Sequence, residues 1–236
     1  MCDFSRNYVY KMLFVIFILV LLAGFNVALP FILDFSGLTV TTISSLMIFA
    51  LVTTAIPGPN TIMLMASGVN FGFKASIPHI SGVVIGVPIL VMLVGLGMSK
   101  IFDRVPYSMQ VLKIVSVSYF LLLAWRIVKI RTLNSDKKSI RPMSFIQSVL
   151  FQWVNPSVWT MALAAIALFS SETNPFYSVL IVSAAFGISE ICTTNLWVLM
   201  GHNLKRFLSD PVKLHAINIV LATLLVLTLF PFLLVL

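Results

Sequence analysis

The sequence predicts an all-α polytopic membrane protein, with a six-helix core of two inverted three-helix repeats and an extra N-terminal helix. Three observations predict it. The 236 residues are 60% hydrophobic and only 9% charged, where soluble domains carry roughly 25% charged residues. Seven apolar runs follow one another with mostly short polar joints, each long enough to cross a hydrocarbon core of about 30 Å as a helix. Two of these runs are broken in the middle, at Pro57-Gly58-Pro59-Asn60 and at Asn155-Pro156.

Composition also narrows the function. Mean hydropathy is +1.08 and the isoelectric point is near 9.8. A net charge of +8 can signal a nucleic-acid partner, but in so apolar a chain excess Lys and Arg marks cytoplasmic loops. No nucleic acid is expected; the partners are the lipid bilayer, a small molecule and protons, with a homo-oligomer as a further option. Six or seven spans of about 20 residues use the whole length. Cys2 and Cys192 imply no disulfide framework. Zinc spacings, phosphate loops and nucleophile elbows are lacking in the sequence. No catalytic residue, metal site or cofactor is therefore expected, and the chain does not read as an enzyme.

The runs fall, in order, at residues 12–33, 43–66, 77–98, 111–130, 145–169, 176–200 and 214–235. Their length and continuous hydrophobicity favour helices over barrel strands. The first run follows Arg6 and Lys11, as the apolar stretch of a signal peptide would. Its length and the poor cleavage site around Ala23, Gly24 and Ala28 favour a retained helix; an upstream-start extension is the third option. Residues 1–36 are accordingly read as an N-terminal extension and residues 37–236 as the transporter domain. The longest hydrophilic stretch, residues 129–142, holds Asn134-Ser135-Asp136-Lys137-Lys138. It reads as a solvated linker at 131–141 between repeats at about 37–130 and 142–236, with contact to anionic lipid as the alternative.

Basic residues set the orientation. With every run spanning and the N-terminus inside, twelve basic residues fall inside: Arg6, Lys11, Lys74, Arg126, Lys129, Arg131, Lys137, Lys138, Arg141, Lys205, Arg206 and Lys213. Only Lys100, Arg104 and Lys113 fall outside. The positive-inside rule then predicts N-in and C-out with seven spans.

The repeat rests on spacing. Pro57 and Pro156 are 99 residues apart, and Val111-Leu112-Lys113 and Pro211-Val212-Lys213 open the third helix of each half about 100 apart. Three helices are an odd number, so consecutive halves enter the membrane from opposite sides. Inverted repeats with interrupted helices in matching positions point to a transporter's binding site.

The breaks carry the chemistry. Proline removes a backbone donor and clashes with the preceding turn, and in lipid the freed carbonyls need other partners. Pro57, Gly58, Pro59 and Asn60 thus expose backbone that can hold a zwitterion: a carboxylate on a half-helix N-terminus, an ammonium on freed carbonyls. Asn60 adds a donor and an acceptor. Gln152, Asn155 and Pro156 put two amides at the second break, for substrate or for the facing broken helix. The plainer readings are a packing kink and interhelical hydrogen bonds worth about 0.6 kcal/mol each.

Glu190 is the acidic residue deep in a predicted span. A carboxylate there is costly to ionise and functional by default, which makes Glu190 the proton-coupling candidate; bonding to Ser189, Thr193 or Thr194 is the alternative. His79 reads as an interfacial histidine, and Trp125, Arg126, Trp197 and His202 as belt residues and snorkelling bases. Gly82, Gly86, Gly95 and Gly97 read as close packing.

Taken together, these residues resemble the LysE/RhtB family of amino-acid exporters. The resemblance lies in Pro57-Gly58-Pro59-Asn60, in the following basic loop Asn70-Phe71-Gly72-Phe73-Lys74-Ala75, in Ser118-Tyr119-Phe120-Leu121-Leu122-Leu123-Ala124-Trp125-Arg126 and in Asn155-Pro156. It covers about residues 43–230. Arg141-Pro142-Met143-Ser144-Phe145, Leu150-Phe151-Gln152-Trp153-Val154-Asn155 and Trp197-Val198-Leu199-Met200-Gly201-His202 are similar to a branch of that family that exports cysteine and O-acetylserine. The resemblance implies proton-driven efflux of a small amino acid or related metabolite across the bacterial inner membrane. The run at 12–33 is additional to the family's six helices, and Glu190 matches no family motif. An ion or metal exporter on a similar scaffold is the rival reading; it calls for clustered carboxylates, His or Cys at the midplane, and Glu190 alone qualifies.

Overall fold

Proline and asparagine punctuation divides the apolar runs into eight α-helices in a computed structural model, which describes residues 38–98, 100, 104–130, 141–205 and 210–230. The run at 12–33 and most of the predicted linker, 131–140, lie outside these residues. The helices are α1 (Val40–Ala55), α2 (Pro59–Phe71), α3 (Phe73–Leu93), α4 (Ser108–Val128), α5 (Phe145–Val154), α6 (Pro156–Phe169), α7 (Pro175–Lys205) and α8 (Pro211–Leu227). No strand occurs among the described residues.

Local chemistry explains the boundaries. Proline opens α2, α6, α7 and α8 at the first helical position, where its missing N–H costs nothing. Side chains cap four starts: Thr39 accepts from the Thr42 amide, Ser144 from Gln147, Asn155 from Ser157 and Asp210 from Val212. Gln147 reaches back to the Ser144 amide at 3.0 Å, a reciprocal box that satisfies two end donors. Between α2 and α3 the chain turns through Gly72 at φ 82, a conformation glycine adopts without strain. Beyond Leu93, α3 widens into a π turn over Val94–Met98, ended by Gly97 at φ 97.

Among the described residues, three helices are long and apolar enough to cross a membrane: the continuous α3 segment Phe73–Met98, Gln110–Val128 in α4, and α7. Two bent pairs pass the same test when taken together, α1 with α2 at 56° and α5 with α6 at 69°. The last predicted run is represented by α8, whose 17 residues fall short of a full span. The chain is a multi-pass helical membrane protein.

α7 is the axis of the bundle, with α1, α2 and α3 packed along it; α5 lies on α3, and α4 pairs with α8. One apolar core gathers Leu46, Val87, Leu90, Trp159 and Phe186. A second gathers Phe120, Phe151, Leu214 and Leu225. Large apolar side chains such as Ile114, Ile146, Leu168 and Val212 point outward and stay exposed, as a lipid-facing surface requires. Small residues let backbones approach. A Cβ on Gly68 would overlap the Val198 carbonyl, one on Gly201 the Met65 carbonyl, and one on Gly86 would lie 2.9 Å from Gln152 Cγ.

Trp125 is exposed with Lys129 Nζ 3.6 Å above its ring, in keeping with a belt position. The expectation for His79 needs correction. Its side chain is fully buried and its Nδ1 lies 2.8 Å from Ser67 Oγ, because α2 folds back over it after the turn at Gly72.

Candidate functional site between the two helix breaks

The first break follows from its prolines. Pro57 and Pro59 have no N–H, so the carbonyls of Thr53 and Ala55 lose the donors an unbroken helix would supply. The Gly58 amide turns to Thr61 Oγ1 at 2.7 Å, and that hydroxyl donates to the Gly58 carbonyl at 2.9 Å. Thr61 thereby satisfies the Gly58 peptide groups, and α2 restarts at Pro59 with Asn60 in its first turn.

The second break is built differently. Asn155 is extended, and its Oδ1 accepts from the Ser157 amide at 3.2 Å. That amide would otherwise bond the Trp153 carbonyl. The indole of Trp159 takes its place, donating to Trp153 O at 2.9 Å. The bend is thus held from both sides.

The two breaks meet. Asn60 Nδ2 donates to Gln152 Oε1 at 2.8 Å. Gln152 is fully buried and donates through Nε2 to the Ser148 carbonyl at 2.8 Å. Ser148 in turn donates to the His79 carbonyl at 2.9 Å. The glycines of α3 make this approach possible, since Gly82 faces Ser148 and Gly86 faces Gln152.

Helix register fixes the depth of the other polar groups. α2 and α3 run antiparallel, paired at Ser67 and His79. α3 and α7 are also antiparallel, paired at Pro88 with Gly187 and at Gly95 with Val179. α2 and α7 therefore run the same way and cross where Gly68 meets Val198. Eight residues back on each helix lie Asn60 and Glu190, which share a depth. Gly86 and Ser189 fall at the same level. One layer of the bundle thus holds Asn60, Gln152, Ser189 and Glu190, with Asn155 one turn away.

Three polar atoms around this layer are buried without a protein partner: Asn60 Oδ1, Asn155 Nδ2 and Ser189 Oγ. One accepts, one donates and one does both. Buried polar atoms are nearly always paired, so each of these three groups is open to a further partner. Glu190 is buried, with Thr193 Oγ1 3.5 Å from its Oε2, while the Thr194 hydroxyl goes to the Glu190 backbone carbonyl. Among the described residues no group of three His, Cys, Asp or Glu side chains can hold a metal.

Pro57, Gly58, Pro59 and Asn60 thus stand at one break, Gln152, Asn155 and Pro156 at the other, and Glu190 at their level on the axial helix. The sequence pointed to Ser189 only as a partner for Glu190 and to Asn70 only as part of a basic loop, and Ser148 and Asn218 were not singled out. Asn70 Nδ2 and Asn218 Nδ2 each donate to the other's Oδ1 at 2.9 Å. For Ser148, Ser189 and Asn218 the signal was present: a polar side chain inside an apolar run must find a partner.

Comparison with known proteins gives a consistent picture. The LysE type translocator family model matches residues 51–235. The cysteine/O-acetylserine efflux proteins of Escherichia coli strain K12 and of Shigella sonnei strain Ss046 are each 30% identical over 193 residues, covering 80% of this chain and 96% of theirs. That of Escherichia coli O139:H28 is 29% identical over the same length. No solved structure matches the chain.

Proposed function

The chain belongs to the LysE-type translocator family, and from that premise we propose that it is a secondary transporter exporting a small amino acid or related metabolite across the bacterial inner membrane, driven by proton entry. In this reading residues 37–236 are the transporter domain, in two inverted three-helix halves at about 37–130 and 142–236 joined by 131–141. Residues 1–36 add a helix, and the termini are N-in and C-out.

The observation that carries the reading is the Asn60–Gln152 hydrogen bond, which joins the two breaks in a layer with three orphan polar atoms. An amino acid is a zwitterion, and the layer suits both of its ends. Its ammonium takes Asn60 Oδ1 and the carbonyls freed by Pro57 and Pro59. Its carboxylate takes Asn155 Nδ2 and the amides at the start of α2, where the helix dipole favours negative charge. Ser189 Oγ is left for a polar or sulfur-bearing side chain, in line with relatives named for cysteine and O-acetylserine efflux. Gly58, Pro59 and Pro156 hold the elbows open, and Gln152 keeps them together. Glu190, at the same depth, exchanges the coupling proton. One half rocking against the other moves this layer from one face to the other.

The test is substrate profiling in vesicles loaded inside with single amino acids, with and without an imposed proton gradient. Efflux of a small neutral or sulfur-containing amino acid above protein-free vesicles, accelerated by the gradient, is expected. Equal efflux with and without the protein across the amino acids would refute the reading.

A further inference from the structure

We propose that Asn70 and Asn218 form the gate that shuts the basic end of the bundle, and that this structure is the state closed there. Its role in transport rests on the export reading above; its existence as a gate does not.

Asn70 lies ten residues beyond Asn60 on α2, about 15 Å along the axis at 1.5 Å per residue. Its amide and that of Asn218 on α8 exchange two hydrogen bonds, each 2.9 Å. Each amide nitrogen spends a further hydrogen on a backbone carbonyl, Asn218 on Ile130 and Asn70 on Ala66, both at 2.9 Å. Both side chains are buried. Three of these four bonds tie α2, α8 and the residue just past α4 together, at the end of the bundle that carries Lys74, Lys129, Arg141 and Lys205, while the bond to Ala66 stays within α2. In the proposed halves, Asn70 and Ile130 belong to the first and Asn218 to the second, so the clasp spans the joint that must open.

A second contact closes the same end. Gly68 and Gly201 bring α2 and α7 so close that a Cβ on either would overlap the other helix's backbone. Towards the opposite end a shallow apolar groove of about 310 Å³ lies between Met98, the start of α4 at Ser108, Val111 and Leu112, and the elbow tryptophans Trp153 and Trp159. Gly97 at φ 97 and Tyr107 at φ 63 flank it.

Amides suit a reversible seal. An apolar plug gives up its contacts when it parts, whereas two asparagines can exchange each other for entering water at little enthalpic loss. The closed state is dry and satisfied, and the open state is wet and satisfied. Both halves of the cycle then remain accessible without a stranded buried group.

Ser67, three residues before Asn70, is buried behind the clasp against His79. It gives a reporter independent of transport. In a chain carrying Cys2→Ser and Cys192→Ser, Ser67→Cys is placed as the single thiol, and its labelling by a membrane-impermeant maleimide is measured from the basic side in oriented vesicles. With Asn70 and Asn218 intact the thiol should react slowly. Adding Asn218→Leu should speed labelling about tenfold or more. Asn70→Asp, which sets a carboxylate against the Asn218 carbonyl oxygen, serves where Asn218→Leu does not insert, and should act in the same direction. Labelling unchanged within about twofold in the variants that insert would overturn the gate. Because this readout needs no cargo, it separates failure of the gate from failure of the export reading, which the wild-type efflux assay reports.

Discussion

Asn60 and Gln152, 92 residues apart in the chain, share a 2.8 Å hydrogen bond that joins the elbow of one broken helix to the elbow of the other. The bond makes the two breaks a single object. Its neighbours Pro57 and Asn155 set the bends, and Gly86 provides the room for Gln152 to reach across.

The coupling between these amides is measurable. A double-mutant cycle on Asn60→Ala and Gln152→Ala, followed by unfolding in detergent, should return about 0.6 kcal/mol and at most about 1.7 kcal/mol, the range of interhelical hydrogen bonds in membranes. Additive effects would mean that the amides do not stabilise one another.

Glu190→Gln keeps the size of the side chain and a partner for Thr193 while removing the exchangeable charge. The variant should fold as the parent does. Its efflux should lose its response to an imposed proton gradient, falling about tenfold to the rate seen without one, as expected for a buried coupling carboxylate. A gradient response equal to the parent's would remove Glu190 from the mechanism.

The glycine crossings predict an order of stabilities. Gly201→Ala drives a methyl into the Met65 carbonyl, whereas Gly187→Ala meets Pro88 Cγ at 3.2 Å. Overpacking of the first kind costs about 1–3 kcal/mol. Thermal unfolding should therefore rank Gly201→Ala well below Gly187→Ala, and equal midpoints would contradict the crossing.

Trp159→Phe tests how the second elbow is held. It deletes the donor to the Trp153 carbonyl and should cost about 1 kcal/mol. Asn155→Ala in the same background should cost more than the single changes combined, since the two side chains hold opposite sides of one bend. Strict additivity would show that they act independently.

Much of this was legible in the sequence. Pro57, Pro59 and Pro156 determine where the helices break, because proline lacks the donor an unbroken helix needs. Five of the seven apolar runs coincide with the three long helices and two bent pairs among the described residues, and Gly82, Gly86 and Gly95 indicate close packing that the structure realises against α5, α6 and α7. The partners were not legible. Asn60 can bond substrate, backbone or another amide, and only the register of α2, α3 and α5 selects Gln152. For the same reason Asn70 read as part of a basic loop and Asn218 passed unremarked, since each acquires meaning from the other across 148 residues. His79 read as interfacial because its place near the end of a run says nothing of α2 folding over it.

The most direct test of the account is efflux from loaded vesicles by Asn60→Ala and Asn155→Ala, alongside a check that each variant inserts and purifies like the parent. The account predicts that both insert normally and that each loses at least about tenfold in efflux, since each removes one polar atom offered to the zwitterion. Efflux at the parent's rate in both variants would contradict it and place the cargo elsewhere.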